Sequence, residues 1–369
     1  MKHARLAIIA ITAAMLQACA AYHSVPPAGY SSSVDGAIDK IVFDQAGDPY
    51  PRSDDPSGLP IPQQPPNKNR AFTLKTHYAQ LGRPYDRRQI LDDMARRITD
   101  GMHAAGADRV VFLIKGFNNS FQRSDAEYRW IRNDIIGPRQ AKGLYFVQVY
   151  WDSLYRGKGT APAPLAYFAD SMTYSNHAGD CGLRAVLRRL PAGTDVTFLT
   201  HSRGAAVALA AVSDAKYDPG ITNDCQSSEP GHALPTQLGD VRLVAYAPAI
   251  GDGHLRDGAA LKPSLFTVLD RFYPGFNPND PAVTKAIALG IKIPARMAGD
   301  TRFGGSPSYV EHIRQLATSA GKGNALQPSP FSRKSHDWAE YMALTENADC
   351  MLWAGKLISA PTGACSLIP

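Results

Sequence analysis

A single serine stands between an apolar run and a helix of small residues, and this placement could make it a nucleophile. Residues 195–199 are rich in β-forming side chains, and residues 204–212 (GAAVALAAV) predict a helix that is apolar on nearly every face. Ser202 lies in the sharp turn between them. Such a turn, a nucleophile elbow, exposes the serine hydroxyl beside the N–H groups of a helix N-terminus. The sequence therefore predicts acyl-transfer chemistry at Ser202.

The turn departs from the usual pattern at one position. Small residues normally stand two places before and two places after the serine, so that the strand and the helix pack closely. Gly204 meets this requirement, whereas Thr200 occupies the first place. The alternative interpretation is a buried strand followed by a core helix, in which Ser202 has no chemical role.

A serine nucleophile requires a histidine base, and three histidines are candidates. His336 lies in residues 335–338 (SHDW), at the start of a short helical segment late in the chain. His312 has flanks that predict a helix interior and is the weaker candidate. His201 directly precedes Ser202, and its side chain is expected to point away from the serine. We therefore expect His336 to be the base and His201 to be structural.

An acidic residue must orient the histidine, and two aspartates follow predicted strands. Asp280 lies in residues 277–281 (NPNDP), just past the predicted strand 265–272. An Asp-Pro pair also begins helices, with the aspartate as N-cap, and one aspartate can serve both purposes. Asp252 follows the predicted strand 241–247 and is the alternative acid. We expect Asp280 to accept the hydrogen bond of the histidine ring.

Strands and helices alternate along the chain, which predicts an α/β fold with a mostly parallel sheet. Strands are predicted at 110–114, 144–150, 195–200, 241–247 and 265–272, and helices at 87–102, at 124–135 with Ser124 as N-cap, at 183–190 and at 204–212. The strands are continuous apolar runs, which are typical of strands buried on both faces. We expect one domain with helices on both faces of the sheet.

Two loops resemble those of a known family. Residues 115–121 (KGFNNSF) directly follow a predicted strand and resemble the His-Gly-Phe/Tyr-Asn-Asn-Ser-Phe loop of a bacterial branch of α/β-hydrolases. Residues 150–153 (YWDS) resemble that branch's Trp-Pro-Ser. The resemblance covers about residues 110–344 and implies the α/β-hydrolase fold. The family's order of nucleophile, acid and base along the chain is met by the three residues above.

The resemblance also implies roles for single residues. In this family the backbone N–H groups that follow the His-Gly pair and the nucleophile form an oxyanion hole, which assigns this role to Phe117 and Arg203. Lys115 replaces the usual histidine, so the hydrogen bonds within the loop must differ. The alternative is an Asn-rich turn without chemistry.

The N-terminus resembles a bacterial lipoprotein signal. A short basic start is followed by an apolar run, residues 6–16, which is too short to span a bilayer of about 30 Å. The run leads into residues 16–19 (LQAC), which resemble the lipobox. This implies a signal peptide over residues 1–18 and acylation of Cys19, and Ala20 after it implies the outer membrane. The alternative is an ordinary secretory signal with a chance cysteine.

Composition divides the rest of the chain in two. Residues 19–69 are rich in Pro, Ser, Gly, Asp and Gln, which predicts an extended tether, although residues 37–43 could pack on the domain. Residues 70–369 are enough for one large α/β domain. The formal net charge is +6, and loss of Lys2 and Arg5 with the signal leaves +4. Because there are no basic blocks, nucleic acid is not an expected partner.

The cysteines indicate disulfides. Apart from Cys19 the chain contains Cys181, Cys225, Cys350 and Cys365. An even number in an exported protein predicts two disulfides, with three possible connectivities. We favour the pairs 350–365 and 181–225, since each closes a local loop. No cysteine or histidine shows metal-ligand spacing, so no metal and no cofactor is expected.

These patterns together predict a lipid-anchored serine hydrolase that cleaves carboxylic esters, as an esterase or a lipase, through an acyl-enzyme. The expected partners are a small-molecule or lipid ester and the membrane that holds the acylated Cys19. An acyltransferase would use the same residues with an alcohol in place of water. A lipoprotein that binds without catalysis is the alternative outside the enzymes, and Thr200 and Lys115 are the departures that favour it.

Overall fold

The structure is a computed structural model that describes most of the predicted domain. The described residues are 26, 38–52, 58–62, 72–153, 173–213, 233–250, 267–284, 303–319, 321–343 and 345–368. The strands are β1 (Ile38–Phe43), β2 (Arg109–Ile114), β3 (Leu144–Trp151), β4 (Asp195–His201), β5 (Val241–Tyr246), β6 (Arg271–Phe276) and β7 (Ser329–Pro330).

The helices lie between and after these strands. They are α1 (Leu74–Gln80), α2 (Arg87–Ala104), α3 (Phe121–Trp130), α4 (Arg184–Leu187), α5 (Gly204–Ala211), α6 (Pro281–Thr284), α7 (Pro307–Ser319), α8 (Trp338–Met342) and α9 (Thr345–Ala354). A π-helical turn, Ile131–Ile136, continues α3, and another, Ala178–Leu183, leads into α4.

The strands form one parallel sheet in the order β1-β3-β2-β4-β5-β6-β7. Successive residues of β2 belong to two hydrophobic cores, one on each face of the sheet. Phe112 lies in the same core as Met94 and Val207. Val111 lies in the other core, with Tyr128 and Trp338. Successive side chains of a strand point to opposite faces, so both faces carry helices. The predicted α/β architecture with a parallel sheet is confirmed.

The register brings the carboxyl ends of the central strands to one edge. Ile114 at the end of β2 pairs with Thr200 near the end of β4, and Thr200 in turn pairs with Ala245 of β5. In parallel sheets, ligands bind at this edge, in the loops that follow the strands. The loops after β2, β4 and β6 carry the residues that the sequence predicts for chemistry.

Part of the segment predicted as a tether belongs to the sheet. β1 pairs with β3 at one end of the sheet, with Ile38 opposite Phe146. After β1, the buried carboxylate of Asp44 accepts hydrogen bonds from the backbone N–H groups of Ala46 and Asp48 and, through its second oxygen, from that of Leu74. The packed part of the chain therefore begins before residue 70.

Two local features differ from the sequence prediction. β6 begins at Arg271 and runs through Pro274 and Gly275, residues that normally end a strand, so the predicted strand 265–272 was placed too early. Residues 265 and 266 lie outside the described residues. The N-cap of α3 is Ser120, whose hydroxyl accepts from the N–H of Arg123, whereas the predicted cap, Ser124, is buried within the helix.

The C-terminal segment is closed by a covalent link. Cys350 and Cys365 form a disulfide. Cys181 is also disulfide-bonded, and its predicted partner, Cys225, lies outside the described residues. Among the helices in the described part of the chain, none combines the length and the apolar character that a membrane span needs.

Candidate active site

The turn at Ser202 has the geometry of a nucleophile elbow. Ser202 adopts a left-handed backbone conformation with φ of 53°, between the end of β4 and the start of α5. Its N–H donates to the carbonyl of Tyr246 on β5, at 2.9 Å. A non-glycine residue at positive φ costs free energy and persists only where the surrounding structure enforces it.

Gly204 explains how helix and strand approach each other so closely. A Cβ atom at Gly204 would lie 2.2 Å from the carbonyl oxygen of Ile114 on β2, so any side chain would push α5 away from the sheet. Thr200, where the pattern expects another glycine, is fully buried, and its hydroxyl donates to the carbonyl of Val244. The sheet thus accommodates a side chain at residue 200 but not at residue 204.

Three predicted residues meet in one hydrogen-bonded chain. The Nε2 atom of His336 lies 2.8 Å from the hydroxyl of Ser202, and its Nδ1 atom lies 2.7 Å from the Oδ2 atom of Asp280. Since a carboxylate only accepts, Nδ1 carries the proton and donates, and Nε2 is left to accept from the serine. The carboxyl group of Asp280 is fully buried, whereas the imidazole of His336 is 24% exposed.

The carboxylate of Asp280 is held by more than the histidine. Its Oδ1 atom accepts from the N–H groups of Ala282 and Val283, so Asp280 also caps α6, which begins at Pro281. Its Oδ2 atom accepts from the hydroxyl of Tyr341 at 2.6 Å. Both interpretations of the Asp-Pro pair, as an orienting acid and as a helix cap, are therefore compatible with one side chain.

Tyr341 belongs to a small polar network that the sequence analysis missed. The amide nitrogen of Asn277 donates to the hydroxyl of Tyr341, at 2.8 Å, and to the carbonyl of Arg333. Burial and the neighbouring Asp280 raise the pKa of Tyr341, so its hydroxyl stays protonated and donates. In the sequence Tyr341 stands five residues after His336, and this spacing alone predicts no contact with Asp280.

The loop 115–121, here called the oxyanion loop, lies directly against the elbow. A Cβ atom at Gly116 would lie 2.6 Å from that of Ser202 and 3.0 Å from the backbone nitrogen of Arg203. Asn118 has a φ of 64° and donates its N–H to Ser153, in the loop after β3. The peptides predicted to form the oxyanion hole, those entering Phe117 and Arg203, thus belong to two chain segments in contact.

The polar side chains around these peptides have hydrogen-bond partners of their own. The guanidinium of Arg203 is fully buried and donates to the hydroxyl of Ser175 and to the carbonyl of Ala249. The amide nitrogen of Asn119 donates to the carbonyls of Gly116 and Phe117. The loop is therefore held by its own polar contacts, so its asparagine residues have a structural role as well.

Lys115 replaces the usual histidine and is buried. Its backbone N–H donates to the hydroxyl of Tyr128, and its carbonyl accepts from the indole N–H of Trp151, both at 2.7 Å. Its ammonium forms an ion pair with Glu127 on α3. Burial lowers the pKa of Lys115 to about 8, with Arg123 acting in the same direction.

His201 is buried behind the site, in a structural position. Its ring stacks on that of Trp338, with centroids 5.6 Å apart, and lies 4.8 Å from the ring of His336. Burial, followed by the proximity of His336 and Lys115, lowers the pKa of His201 well below its ordinary value, so the ring is neutral. His201 therefore packs against His336 and carries no charge.

The remaining candidates are His312 and Asp252. His312 lies on α7, as its flanks predict, and the alternative acid, Asp252, lies outside the described residues. In the part of the chain that the structure describes, no cluster of three or more His, Cys, Asp or Glu side chains could hold a metal ion. The polar groups at Ser202 are suited to proton transfer and covalent chemistry, because the hydroxyl, the imidazole and the carboxylate form one hydrogen-bonded chain.

Comparison with known proteins agrees with this architecture. Residues 92–224 match a family described as "Alpha/beta hydrolase of unknown function (DUF900)". The match and the parallel sheet with its elbow show that the chain has the α/β-hydrolase fold. None of the curated proteins compared with it shows significant similarity.

Distant similarity to solved structures was also found. One is a thermophilic esterase from the Planctomycetes species Thermogutta terrifontis with propionate bound, which is 15% identical, with 70% of this chain and 86% of that chain covered and a TM-score of 0.34. Another is esterase 2 of Thermogutta terrifontis phosphonylated by sarin, at 13% identity, with 68% and 85% covered and a TM-score of 0.33. Similarity this low carries no inference about activity.

Proposed function

We propose that this protein is a serine hydrolase that cleaves carboxylic esters, with Ser202 as nucleophile, His336 as base and Asp280 as orienting acid. The observation that carries the proposal is the continuous hydrogen-bonded chain through these three side chains, at distances of 2.8 and 2.7 Å. The strained backbone of Ser202 supports it, because strain of this kind concentrates at functional sites.

The geometry suits a two-step acyl transfer. His336 takes the proton of the Ser202 hydroxyl on Nε2 while the serine oxygen attacks the ester carbonyl, and Asp280 stabilises the imidazolium that forms. The imidazolium then gives its proton to the departing alcohol, which leaves an acyl group on Ser202. A water molecule, deprotonated by the same nitrogen, attacks the acyl group, and as the bond to Ser202 breaks the imidazolium returns this proton to the serine oxygen and the acid leaves.

The charge that develops on the carbonyl oxygen requires donors beside the elbow. We assign this role to the backbone N–H groups of Phe117 and Arg203, since Gly116 packs against Ser202 and Arg203. A donor of this kind contributes about 3–4 kcal/mol to transition-state stabilisation in other enzymes. Gly116 matters here because a side chain at this position would separate the two segments.

The proposal is tested by covalent labelling of the purified protein with a fluorophosphonate probe. We expect wild type to be labelled on Ser202 and Ser202→Ala to be unlabelled. Ser308→Ala, an exposed serine on α7, is the matched control and should be labelled like wild type. Labelling of Ser202→Ala, or none of wild type, would contradict the assignment of the nucleophile.

The class of ester and the place of action are further parts of the proposal. We infer a lipid-anchored enzyme of the bacterial outer membrane, on the resemblance of residues 16–19 to a lipobox, and hence a small-molecule or lipid ester as substrate. A panel of esters of increasing acyl length separates esterase from lipase. Incorporation of labelled palmitate should be lost in Cys19→Ala and retained in Ser202→Ala.

A further inference from the structure

The Lys115–Glu127 ion pair is a costly feature at the base of the oxyanion loop. The side chains of Lys115 and Glu127 are only 6% and 12% exposed. A buried ion pair loses the hydration of both charges, and apolar residues of similar volume are often equally stabilising or better. Its presence directly before Gly116 therefore calls for a reason other than stability of the fold.

One helix controls both the backbone and the side chain of Lys115. Glu127 binds the ammonium of Lys115. The hydroxyl of the neighbouring Tyr128 accepts a hydrogen bond from the backbone N–H of Lys115 and donates one to the carbonyl of Val149 on β3. Trp151, at the end of β3, holds the carbonyl of Lys115. The residue that enters the oxyanion loop is thus fixed at its N–H, its carbonyl and its side chain.

A small polar space lies behind the oxyanion loop. It measures about 10 Å³, roughly the size of one water molecule, and lies between Lys115, Gly116 and Asn119 of the loop and Tyr128 and Ser153. The hydrogen bonds of Asn118 and Asn119 hold the middle of the loop, and the contacts of Lys115 hold its first residue. Lys115 therefore fixes the end of the loop that leads into Gly116.

The charge of Lys115 also reaches the other side of the site. The charged groups that face it are Glu127 and Arg123 on α3, Asp337 at the start of α8 and, when protonated, His201 at the end of β4. His201 packs against the ring of His336. An ammonium at residue 115 thus opposes protonation of His201, which keeps a second positive charge away from the base.

We propose that the Lys115–Glu127 pair positions the oxyanion loop, so that the charged ammonium of Lys115 is a positioning group for the stabilisation of the oxyanion. The inference rests on the proposed function. Without the pair, the segment that carries the Phe117 N–H can shift relative to Ser202. Displacements of about 1 Å at a catalytic group reduce rates roughly 100-fold.

The test compares charge removal with removal of the whole pair. Lys115→Met leaves Glu127 as a lone buried charge, and the double variant Lys115→Met/Glu127→Gln leaves no lone charge. We expect the double variant to recover thermal stability relative to Lys115→Met. We expect both to be labelled by the fluorophosphonate probe roughly 10- to 100-fold more slowly than wild type.

A second buried ion pair supplies the matched control. Arg87 on α2 pairs with Asp48, just after β1, at 2.9 Å, with both side chains 13% exposed, and no described contact joins either of them to the oxyanion loop. The variant Arg87→Met/Asp48→Asn should lose stability but keep the labelling rate of wild type. Equal slowing in this control would overturn the inference, because removal of any buried ion pair would then suffice.

The outcomes separate the inference from the proposed function. Wild-type labelling rates in Lys115→Met/Glu127→Gln would overturn the inference and leave Ser202 as nucleophile. Absence of labelling in wild type would overturn the proposed function itself. If the double variant does not fold, the wild-type pH profile decides, since the labelling rate must fall as Lys115 loses its proton, without a matching fall in thermal stability.

Discussion

The substitution Asp280→Asn tests the hydrogen-bonded chain through His336 at a single atom. The Oδ1 atom of Asp280 accepts from two backbone N–H groups, those of Ala282 and Val283, and Oδ2 accepts from Tyr341 and His336. Asparagine has the same shape but one oxygen and one NH₂ group. Its amide must therefore place a donor where one of the two carboxylate oxygens now accepts.

The surroundings decide which way the new amide faces. A backbone N–H can only donate, so an NH₂ group placed at Oδ1 would face two donors in a fully buried site. A tyrosine hydroxyl and an imidazole nitrogen can also accept. We therefore expect the amide oxygen to remain with the two backbone groups and the NH₂ group to face His336 and Tyr341.

This orientation reverses the tautomer of the histidine. The Nδ1 atom of His336 would have to accept from the amide, so the ring proton would move to Nε2. Nε2 would then donate to the hydroxyl of Ser202 and could not take its proton. The variant would keep the fold and the distances of the site but would lose its base.

The expected loss is large because two effects coincide. In a serine protease the corresponding change lowers kcat by about 10⁴-fold, through the wrong tautomer. That factor corresponds to about 5.5 kcal/mol of activation free energy. Here the imidazolium also loses the buried carboxylate that would stabilise it, so we expect a loss of the same order, with a smaller change in KM.

The assay measures kcat and KM on a short-chain nitrophenyl ester, together with thermal unfolding to confirm that Asp280→Asn is folded. Asp252→Asn is the matched control, because Asp252 is the alternative acid, and it should keep wild-type turnover. A folded Asp280→Asn variant that loses less than about tenfold in kcat would refute the reasoning about the tautomer. A larger loss in Asp252→Asn would transfer the role to that residue.

Two further outcomes are expected. Because burial lowers the pKa of Lys115 to about 8, turnover should fall as pH rises past 8, whereas Lys115→Arg should remain active at higher pH. Between pH 8 and 10.5 the unfolded chain binds more protons at this residue than the folded chain, so the contribution of Lys115 to the free energy of unfolding rises with pH. A parallel loss of turnover and of stability in a pH series would contradict this explanation. Gly204→Ala should destabilise the protein by about 1–3 kcal/mol and slow fluorophosphonate labelling, since its Cβ would lie 2.2 Å from the carbonyl oxygen of Ile114. Denaturant unfolding measures the loss of stability. The control is Gly363→Ala, where a Cβ meets nothing within 4 Å.

The sequence predicted the parts of the fold that follow local rules. The apolar strands and the elbow could be recognised because both obey residue-by-residue patterns, and parallel strands bring the ends of their loops to one edge. Ser202 and Asp280 were both expected just after predicted strands, in the order that the α/β-hydrolase resemblance implies. The strand prediction was wrong at β6, because Pro274 and Gly275 normally break strands, and there the parallel pairing with β5 overrides the local preference.

The supporting partners could not be predicted because they depend on how helices pack. Tyr341 reaches Asp280 only because α8 lies beside the loop after β6, and Glu127 reaches Lys115 only because α3 packs over β2 and β3. Neither pair has a characteristic spacing in the sequence, and Tyr341 and Asp280 are 61 residues apart. The substitution of lysine for histidine was visible in the sequence, but its partner was not.

Three costly features of the described structure meet at this site, which favours catalysis over binding alone. Ser202 has a left-handed backbone, the carboxyl of Asp280 is fully buried, and Lys115 is a buried cation. Each reduces stability unless its neighbours compensate for it, and a docking surface for a partner needs none of them. Strain at the nucleophile and a buried orienting acid are typical of sites of acyl transfer. Their convergence on the hydroxyl of Ser202 is therefore the strongest argument that Thr200 and Lys115 are variants of a working site.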